Sequence, residues 1–304
     1  MNYLYWFNKI LKKAFSGDKL SEKHRNNRRG FNMFKLIAFD LDGTLLDDRK
    51  QIPEENLRAL RYAAEKGVHL VPATGRLLCA IPEQLAALPF IRYHILINGA
   101  KVYDAKEQRI ISTAEIPRET ALSLIEHGRA LGCYYDCYHM DMGYMEKYMY
   151  DSLEDYISNP ATLSFMRSVR KPVDDLAAYI SENAPSVQKV QFFFKDMDER
   201  AHQLQLLPEL FPEIIAASSL SSNIEINSAN AGKGPALTAL CSFLGIQPEE
   251  AIAFGDGLND TDMLSAAGLG IGMANSDPAI YSAVNRFTAS NNEAGVAKAI
   301  YELI

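Results

Sequence analysis

From residue 34 to about 113 the chain alternates short, continuously apolar runs with longer stretches whose apolar residues recur every three or four positions. Lys35–Phe39, Val68–Pro72 and Tyr93–Ile97 are short and rich in β-branched or aromatic residues, which predicts buried strands. Between the first two, Leu57, Leu60 and Ala64 form a helical stripe, predicting a helix from Pro53 to Lys66 that Gly67 ends. Leu77–Ala87 reads as a second helix. The same alternation returns late in the chain, with a helix over Pro235–Leu244, a buried strand over Ala251–Phe254, and further pieces at Asp262–Ala267, Leu269–Met273, Pro278–Ala283 and Glu293–Ile304. Strands taking turns with helices in this way predict an α/β fold with a Rossmann-like parallel sheet.

The middle of the chain lacks that regularity. A helix over Pro117–Leu131 is followed by strand-like alternation in Cys133–Tyr150, irregular helical pieces through Glu182, a strand at Val190–Phe194 and a helix at Asp198–Leu207. Short strands are expected near Ile214–Ala217 and Ile224–Asn227. The expectation is an inserted α+β cap domain at 114–220 between two parts of one core, 34–113 and 221–304, with residues 1–33 as a separate extension. His139, Asp141 and Tyr144 are polar groups of the cap that either face a substrate or belong to ordinary packing. The methionines at 140, 142, 145 and 149 read as core filler.

Length and composition agree with two domains: 304 residues, 48% of them hydrophobic, suffice for two cores. Cys79, Cys133, Cys137 and Cys241 are scattered, which fits reduced thiols and a cytoplasmic location. No stretch reaches the apolar length of a membrane span. The net charge of −7 argues against nucleic acid as a partner, but the average hides an asymmetry. Residues 1–34 hold eight Lys/Arg against two acidic residues, leaving +6 there and −13 over the rest. Leu4, Phe7, Leu11 and Ala14 recur at helical spacing, so residues 1–15 carry the pattern of a basic amphipathic helix for a membrane surface. Ser16–Asn32 reads as a disordered linker, and Met33 offers an alternative start directly before the first strand. The sequence leaves oligomeric state open.

Candidate chemistry gathers at the predicted strand ends. In D-L-D-G-T, residues 40–44, side chains two apart on an extended chain point the same way, placing Asp40 and Asp42 about 7 Å apart. Asp40 is suited to attack phosphorus, and Asp42 to give and then take a proton. The Thr44 hydroxyl can meet a phosphate oxygen. An acidic turn has the same composition, so this stretch alone does not choose. Thr74, Gly75 and Arg76 in A-T-G-R follow the second strand, where a hydroxyl, backbone N–H groups and a guanidinium fork suit a phosphate, although a capped helix start fits too. Asn98-Gly99 is either a hairpin turn or places Asn98 in the same pocket. Lys233, at the start of a late helix, would offset charge on Asp40 and on a phosphoryl group. In G-D-G-L-N-D, residues 255–260, hard oxygen donors follow a strand, with Asp256 the candidate Mg²⁺ ligand and Asn259 and Asp260 as supports.

Taken in order, D-L-D-G-T, A-T-G-R, G-K-G (232–234) and G-D-G-L-N-D resemble the haloacid dehalogenase superfamily, and within it the Cof-type phosphatases with a large cap. The resemblance runs from Phe34 to Ile304; the gap between Arg76 and Lys233 leaves room for such a cap, and Asn98-Gly99 matches a feature of that subfamily. It implies a Mg²⁺-dependent phosphomonoester hydrolase acting on small phosphorylated metabolites through a phospho-aspartyl intermediate. Asp40 would be the nucleophile, Asp42 the acid/base, Thr74 a phosphate ligand and Lys233 the charge stabiliser. Asp40, the Asp42 main-chain carbonyl and Asp256 would hold the metal. A phosphomutase and a non-catalytic phospho-metabolite sensor remain the alternatives.

Overall fold

The computed structural model describes residues 34–218 and 222–304. The readings made for residues 1–33, amphipathic helix and linker included, lie outside the described residues. In chain order the strands are β1 (Leu36–Phe39), β2 (His69–Pro72), β3 (Tyr93–Leu96), β4 (Lys101–Asp104), β5 (Arg109–Thr113), β6 (Ile116–Pro117), β7 (Tyr134–His139) and β8 (Met142–Glu146). They continue with β9 (Arg170–Val173), β10 (Ser186–Val187), β11 (Lys189–Phe193), β12 (Ile214–Ala217), β13 (Asn223–Ser228), β14 (Ala251–Gly255), β15 (Leu269–Gly272) and β16 (Arg286–Phe287).

Five strands form one sheet in the order β16-β15-β14-β1-β2, every pair parallel. β1 is an interior strand, between β14 and β2, and its four residues are all buried, because both faces of a parallel sheet are covered by helices. Ile37 and Phe39 join one cluster with Leu60, Val296 and Ile300, from the helices Glu54–Glu65 and Gly295–Leu303. Leu36 and Ala38 join another with Leu237, Leu240 and Met263, from the helices Lys233–Leu244 and Thr261–Ala266. Alternate side chains of one strand thus anchor the two helical layers. β3, β4 and β5 form an antiparallel sheet joined to this core by a bridge between Ala73 and Ile95.

The second sheet runs β12-β13-β11-β7-β8-β9. One face, with Tyr135, Cys137, Val190, Phe192, Ile224 and Ile226, packs into a single apolar cluster with Leu124, Ile180 and Leu207 from three helices. The opposite face carries Asp136, Tyr138, Lys189, Gln191 and Glu225, all buried. Tyr138 and neighbouring Val169 belong to the apolar cluster of the first sheet, so this polar face is turned to the core.

Three expectations change, the first at Met140, which is exposed instead of filling the core. Leu77–Ala87 is a 3₁₀ turn, Leu78–Ala80, and a short helix, Glu83–Ala86. Pro82 disfavours a helical residue before it, and Ile81 is accordingly extended at φ −67°, ψ 133°. The strand near 224–227 lies beyond the predicted cap boundary at 220, yet β13 pairs with β11 and β12 inside the second sheet. Its partners are remote in sequence, which local pattern cannot show. At Asn98-Gly99 the turn reading holds: it joins β3 to β4, and Asn98 is buried within it at φ 55°.

His94 on β3 is buried, and its Nδ1 has no hydrogen-bond partner among the described residues. Burial pushes its imidazole down to about 4 from an ordinary 6.5, a hydrogen bond to the Arg92 backbone offsetting part of the effect. Stability that depends on the neutral ring is therefore full above pH 6.5 and is lost as pH falls toward 4. The urea midpoint of His94→Gln should accordingly fall less between pH 7 and pH 5 than that of the parent. Equal falls in both would rule this origin out.

Candidate active site

The site forms where β1, β2 and β14 end on the same edge of the parallel sheet, the edge at which open α/β sheets bind ligands. Asp40 is the first residue past β1, fixed by its N–H donating to Phe254 O at 3.0 Å. Lys233 opens its helix and is fully buried. Its Nζ donates to Asp40 Oδ1 and to Asp260 Oδ1, each at 2.6 Å. The other Asp260 oxygen accepts the N–H groups of Asp256 and Gly257, both at 3.0 Å, and so shapes the loop that presents Asp256. Carboxylate oxygens of Asp40, Asp256 and Asp260 lie within 4.8 Å of one another.

Two close approaches require glycine. Gly43, at φ +83°, would bring a Cβ within 2.3 Å of Asp256 Oδ2. Gly99, at φ +88°, would set one 2.0 Å from Gly232 O, blocking the turn after β3 from seating on the Lys233 helix start.

Electrostatically the cluster holds three acids and one base. Burial alone would push Lys233 down, but Asp260 and Asp40 outweigh it and hold the ammonium above the ordinary lysine value. For Asp40, burial with Asp260 and Asp256 beside it outweighs Lys233 and pushes the carboxyl up. Asp256 is pushed up to about 6 by burial and the neighbouring Asp260, against a hydrogen bond from Thr44. Anionic oxygen donors converging with excess negative charge are the donor set of a hard divalent cation.

Asp42 and Asp40 take different partners, since the chain leaves the strand at Asp40 and turns. The Asp42 carboxylate, 40% exposed, receives Arg76 Nε at 2.9 Å, Arg76 Nη2 at 2.8 Å and Lys50 Nζ at 2.8 Å. Burial would raise its carboxyl, but these two cations outweigh it and hold it below the ordinary range. Arg76, expected on a phosphate, is therefore bound to Asp42 instead. Thr44 likewise spends its hydroxyl on Asp256 Oδ1, at 2.8 Å. Thr74 is buried and its hydroxyl accepts the Arg76 N–H at 3.2 Å. Gly75 lies under Asn98: a Cβ there would be 2.9 Å from Asn98 Oδ1. Asn259 is exposed and donates to Asn98 Oδ1 at 3.4 Å.

Sequence reasoning missed Lys50 and Glu225. Lys50 sits in a charged flap with no spacing rule to tie it to Asp42. Glu225, on β13, accepts Asn98 Nδ2 at 2.9 Å and pairs with Lys189 Nζ at 2.9 Å. A charge amid the apolar N-I-E-I run was its only signal. Of the cap residues singled out, His139 bonds Tyr179 at 3.0 Å and Tyr144 stacks on Tyr179, both on the helix-covered side of the sheet. Asp141 pairs with Lys101 of β4, joining cap to core. No helix among the described residues is long and apolar enough to cross a membrane.

Comparison with known proteins agrees with this architecture. Residues 37–300 match the family of haloacid dehalogenase-like hydrolases, and the chain belongs to that superfamily, in its Cof-type phosphatase branch. It is 31% identical over 281 residues to the putative phosphatase YxeH of Bacillus subtilis, covering 90% of this chain and 99% of that one. It is also 31% identical over 272 residues to the 5-amino-6-(5-phospho-D-ribitylamino)uracil phosphatase YcsE of the same organism, covering 88% and 94%. A solved haloacid dehalogenase-like hydrolase from B. subtilis superposes with a TM-score of 0.74 at 30% identity, covering 89% of this chain and all of that one.

Removing the lysine cation leaves Asp40 and Asp260 buried against each other. Lys233→Met should cost about 3–5 kcal/mol of stability at pH 7, read by urea unfolding, since breaking a buried pair strands its partner's charge. A loss of under about 1 kcal/mol, the level of a surface pair, would show that the bridge is not buried in solution.

Proposed function

We propose that this protein hydrolyses small phosphomonoesters with Mg²⁺, through a phosphorylated Asp40. The observation that carries the reading is the buried Asp40–Lys233–Asp260 bridge at the end of β1, with Asp256 in metal-sharing reach of Asp40.

The chemistry divides into two displacements. An Asp40 oxygen bonds to phosphorus as the bond to the leaving oxygen breaks, and Asp42 gives that oxygen a proton. Water then attacks phosphorus, Asp42 takes a proton from it, and the bond to Asp40 breaks to release inorganic phosphate. Lys233 stabilises charge on the nucleophile and on the phosphoryl oxygens. Thr74, with backbone N–H groups at Gly75, orients the phosphate, and Asn98 and Asn259 line its edge. Asp40, the Asp42 main-chain carbonyl and Asp256 would hold Mg²⁺, with Asp260 positioning both Lys233 and the Asp256 loop. When bound, the ion supplies charge neutralisation to a loose, largely dissociative phosphoryl transfer.

The cap supports one substrate class. Its core-facing sheet surface presents Asp136, Lys189, Gln191 and Glu225, alternate residues of adjacent strands, and the cations there are matched by carboxylates: Arg170 with Asp136 at 2.7 Å, Lys189 with Glu225 at 2.9 Å. A polar surface without large excess charge suits a neutral, hydroxyl-rich leaving group such as a sugar or sugar alcohol, as borne by the substrate named for YcsE.

Incubation with Mg²⁺ and a panel of cellular phosphomonoesters should release inorganic phosphate, and chelation should stop it. A phosphomutase would instead yield an isomeric phosphate ester, and a sensor would bind without turnover. Asp40→Asn should abolish phosphate release while leaving circular dichroism and the unfolding midpoint near those of the parent; a variant retaining appreciable rate would remove Asp40 as nucleophile.

A further inference from the structure

Arg76 occupies a place that sequence alone would give to a phosphate ligand, but its guanidinium is engaged elsewhere. Nε and Nη2 form a fork on the two oxygens of Asp42, at 2.9 and 2.8 Å, and Nη1 donates to Ala80 O at 3.1 Å. All three nitrogens are therefore tied to the protein, and the third bond sets the plane in which the fork meets the carboxylate. Lys50 adds a second cation on Asp42 Oδ1 at 2.8 Å.

The flap that carries Lys50 is built to bring it there. Asp47 Oδ1 accepts the N–H groups of Arg49 and Gln51, and the Asp47 N–H donates to Gln51 O. Lys50, whose own N–H closes on Asp47 O, takes a left-handed conformation at φ 63°, uncommon for a residue with a side chain. The turn holds this conformation while Lys50 itself is 61% exposed and makes its ion pair only with Asp42 among the described residues.

We infer that Arg76, supported by Lys50, is the positioning residue of Asp42 and not a ligand of the substrate phosphate. The inference rests on the reading of Asp42 as acid and base given above. A carboxylate 40% exposed on a turn has several rotamers open to it, whereas proton transfer needs its oxygen within about 2.6–3.2 Å of the accepting atom. A planar fork fixes both oxygens at once, which an ammonium cannot do. Arg76 acts on the reaction through Asp42: with Lys50 it favours the ionised carboxyl that takes a proton from the attacking water, and its fork sets the orientation in which the same group, once protonated, faces the leaving oxygen.

The test uses the leaving group. In the first displacement the bond from phosphorus to the leaving oxygen breaks and that oxygen takes a proton from Asp42. A 4-nitrophenolate is stable enough to depart without the proton, but a sugar alkoxide is not. The quantity to compare is kcat/KM, which reports steps through departure of the leaving group, for 4-nitrophenyl phosphate and for glucose 6-phosphate or glycerol 2-phosphate, whichever turns over faster. Arg76→Gln should lose about 100-fold on the alkyl ester and less than about 5-fold on the aryl ester, as loss of acid catalysis alone predicts. Arg76→Lys should show the same alkyl-selective loss, because charge without the fork does not orient Asp42.

Equal losses on both esters from Arg76→Gln, restored by Arg76→Lys, would identify Arg76 as a phosphate ligand and overturn the inference. No alkyl-selective loss in either variant would overturn it as well. Lys50→Asn keeps a residue tolerant of the left-handed turn and, at an exposed position, should fold. It should show a smaller loss in the same direction, and its absence overturns the inference should the Arg76 variants prove misfolded by circular dichroism. Asp42→Asn separates the two levels. If it loses activity equally on both esters, the acid/base reading fails and the role of Arg76 falls with it. If it is alkyl-selective while Arg76→Gln is not, only the role of Arg76 fails.

Discussion

The buried ammonium of Lys233 organises this molecule. Lys233 is brought by a helix start, Asp40 by the end of β1 and Asp260 by the loop after β14, and the two bonds of 2.6 Å lock these three segments together. A buried charge is tolerated only when paired and hydrogen-bonded, so the surrounding backbone must deliver all three groups at once. Asp260 then does a second task, since its other oxygen gathers the Asp256 and Gly257 N–H groups and shapes the adjoining loop. The parallel order of β1 and β14 is what makes this possible, because it places both loops on one edge of the sheet.

Which segments would meet was legible in the sequence, because short apolar runs ending in D-L-D-G-T and G-D-G-L-N-D mark neighbouring strand ends in an alternating α/β chain. The pairing of Lys233 with Asp40 and Asp260 was legible too, whereas the partners of Thr44 and Arg76 were not. Thr44 and Arg76 both have the donors a phosphate needs, and both are turned to carboxylates, Asp256 and Asp42, lying 212 and 34 residues away in the chain. A spacing rule reads what a residue can bind, whereas its actual partner is set by the geometry of elements joined through long-range pairing. The predicted helix over Leu77–Ala87 failed for a local reason that was visible, Pro82, while the strand at β13 was read correctly and only its sheet was not.

The cap shows the same division between composition and placement. Alternation in β7 and β11 sends Tyr135, Val190 and Phe192 to the helices and Asp136, Lys189 and Gln191 to the core. From there Glu225 reaches Asn98, Asn98 lies over Gly75, and Asn259 closes the chain of contacts back to the acidic loop. Cap and core thus share a polar seam, and the left-handed turn at Ile97 and Asn98 holds the crossing point.

Three acids crowded around one base are a poor choice for a fold judged by robustness alone. Each carboxyl pushed up by its surroundings favours a neutral replacement that still accepts from the same donors, so amides at 40 or 256 would relieve local tension. A laboratory selection for heat tolerance with no demand on turnover would be drawn to these positions early. Persistence of the acidic residues under such a regime could come only from a benefit that a melting curve does not record.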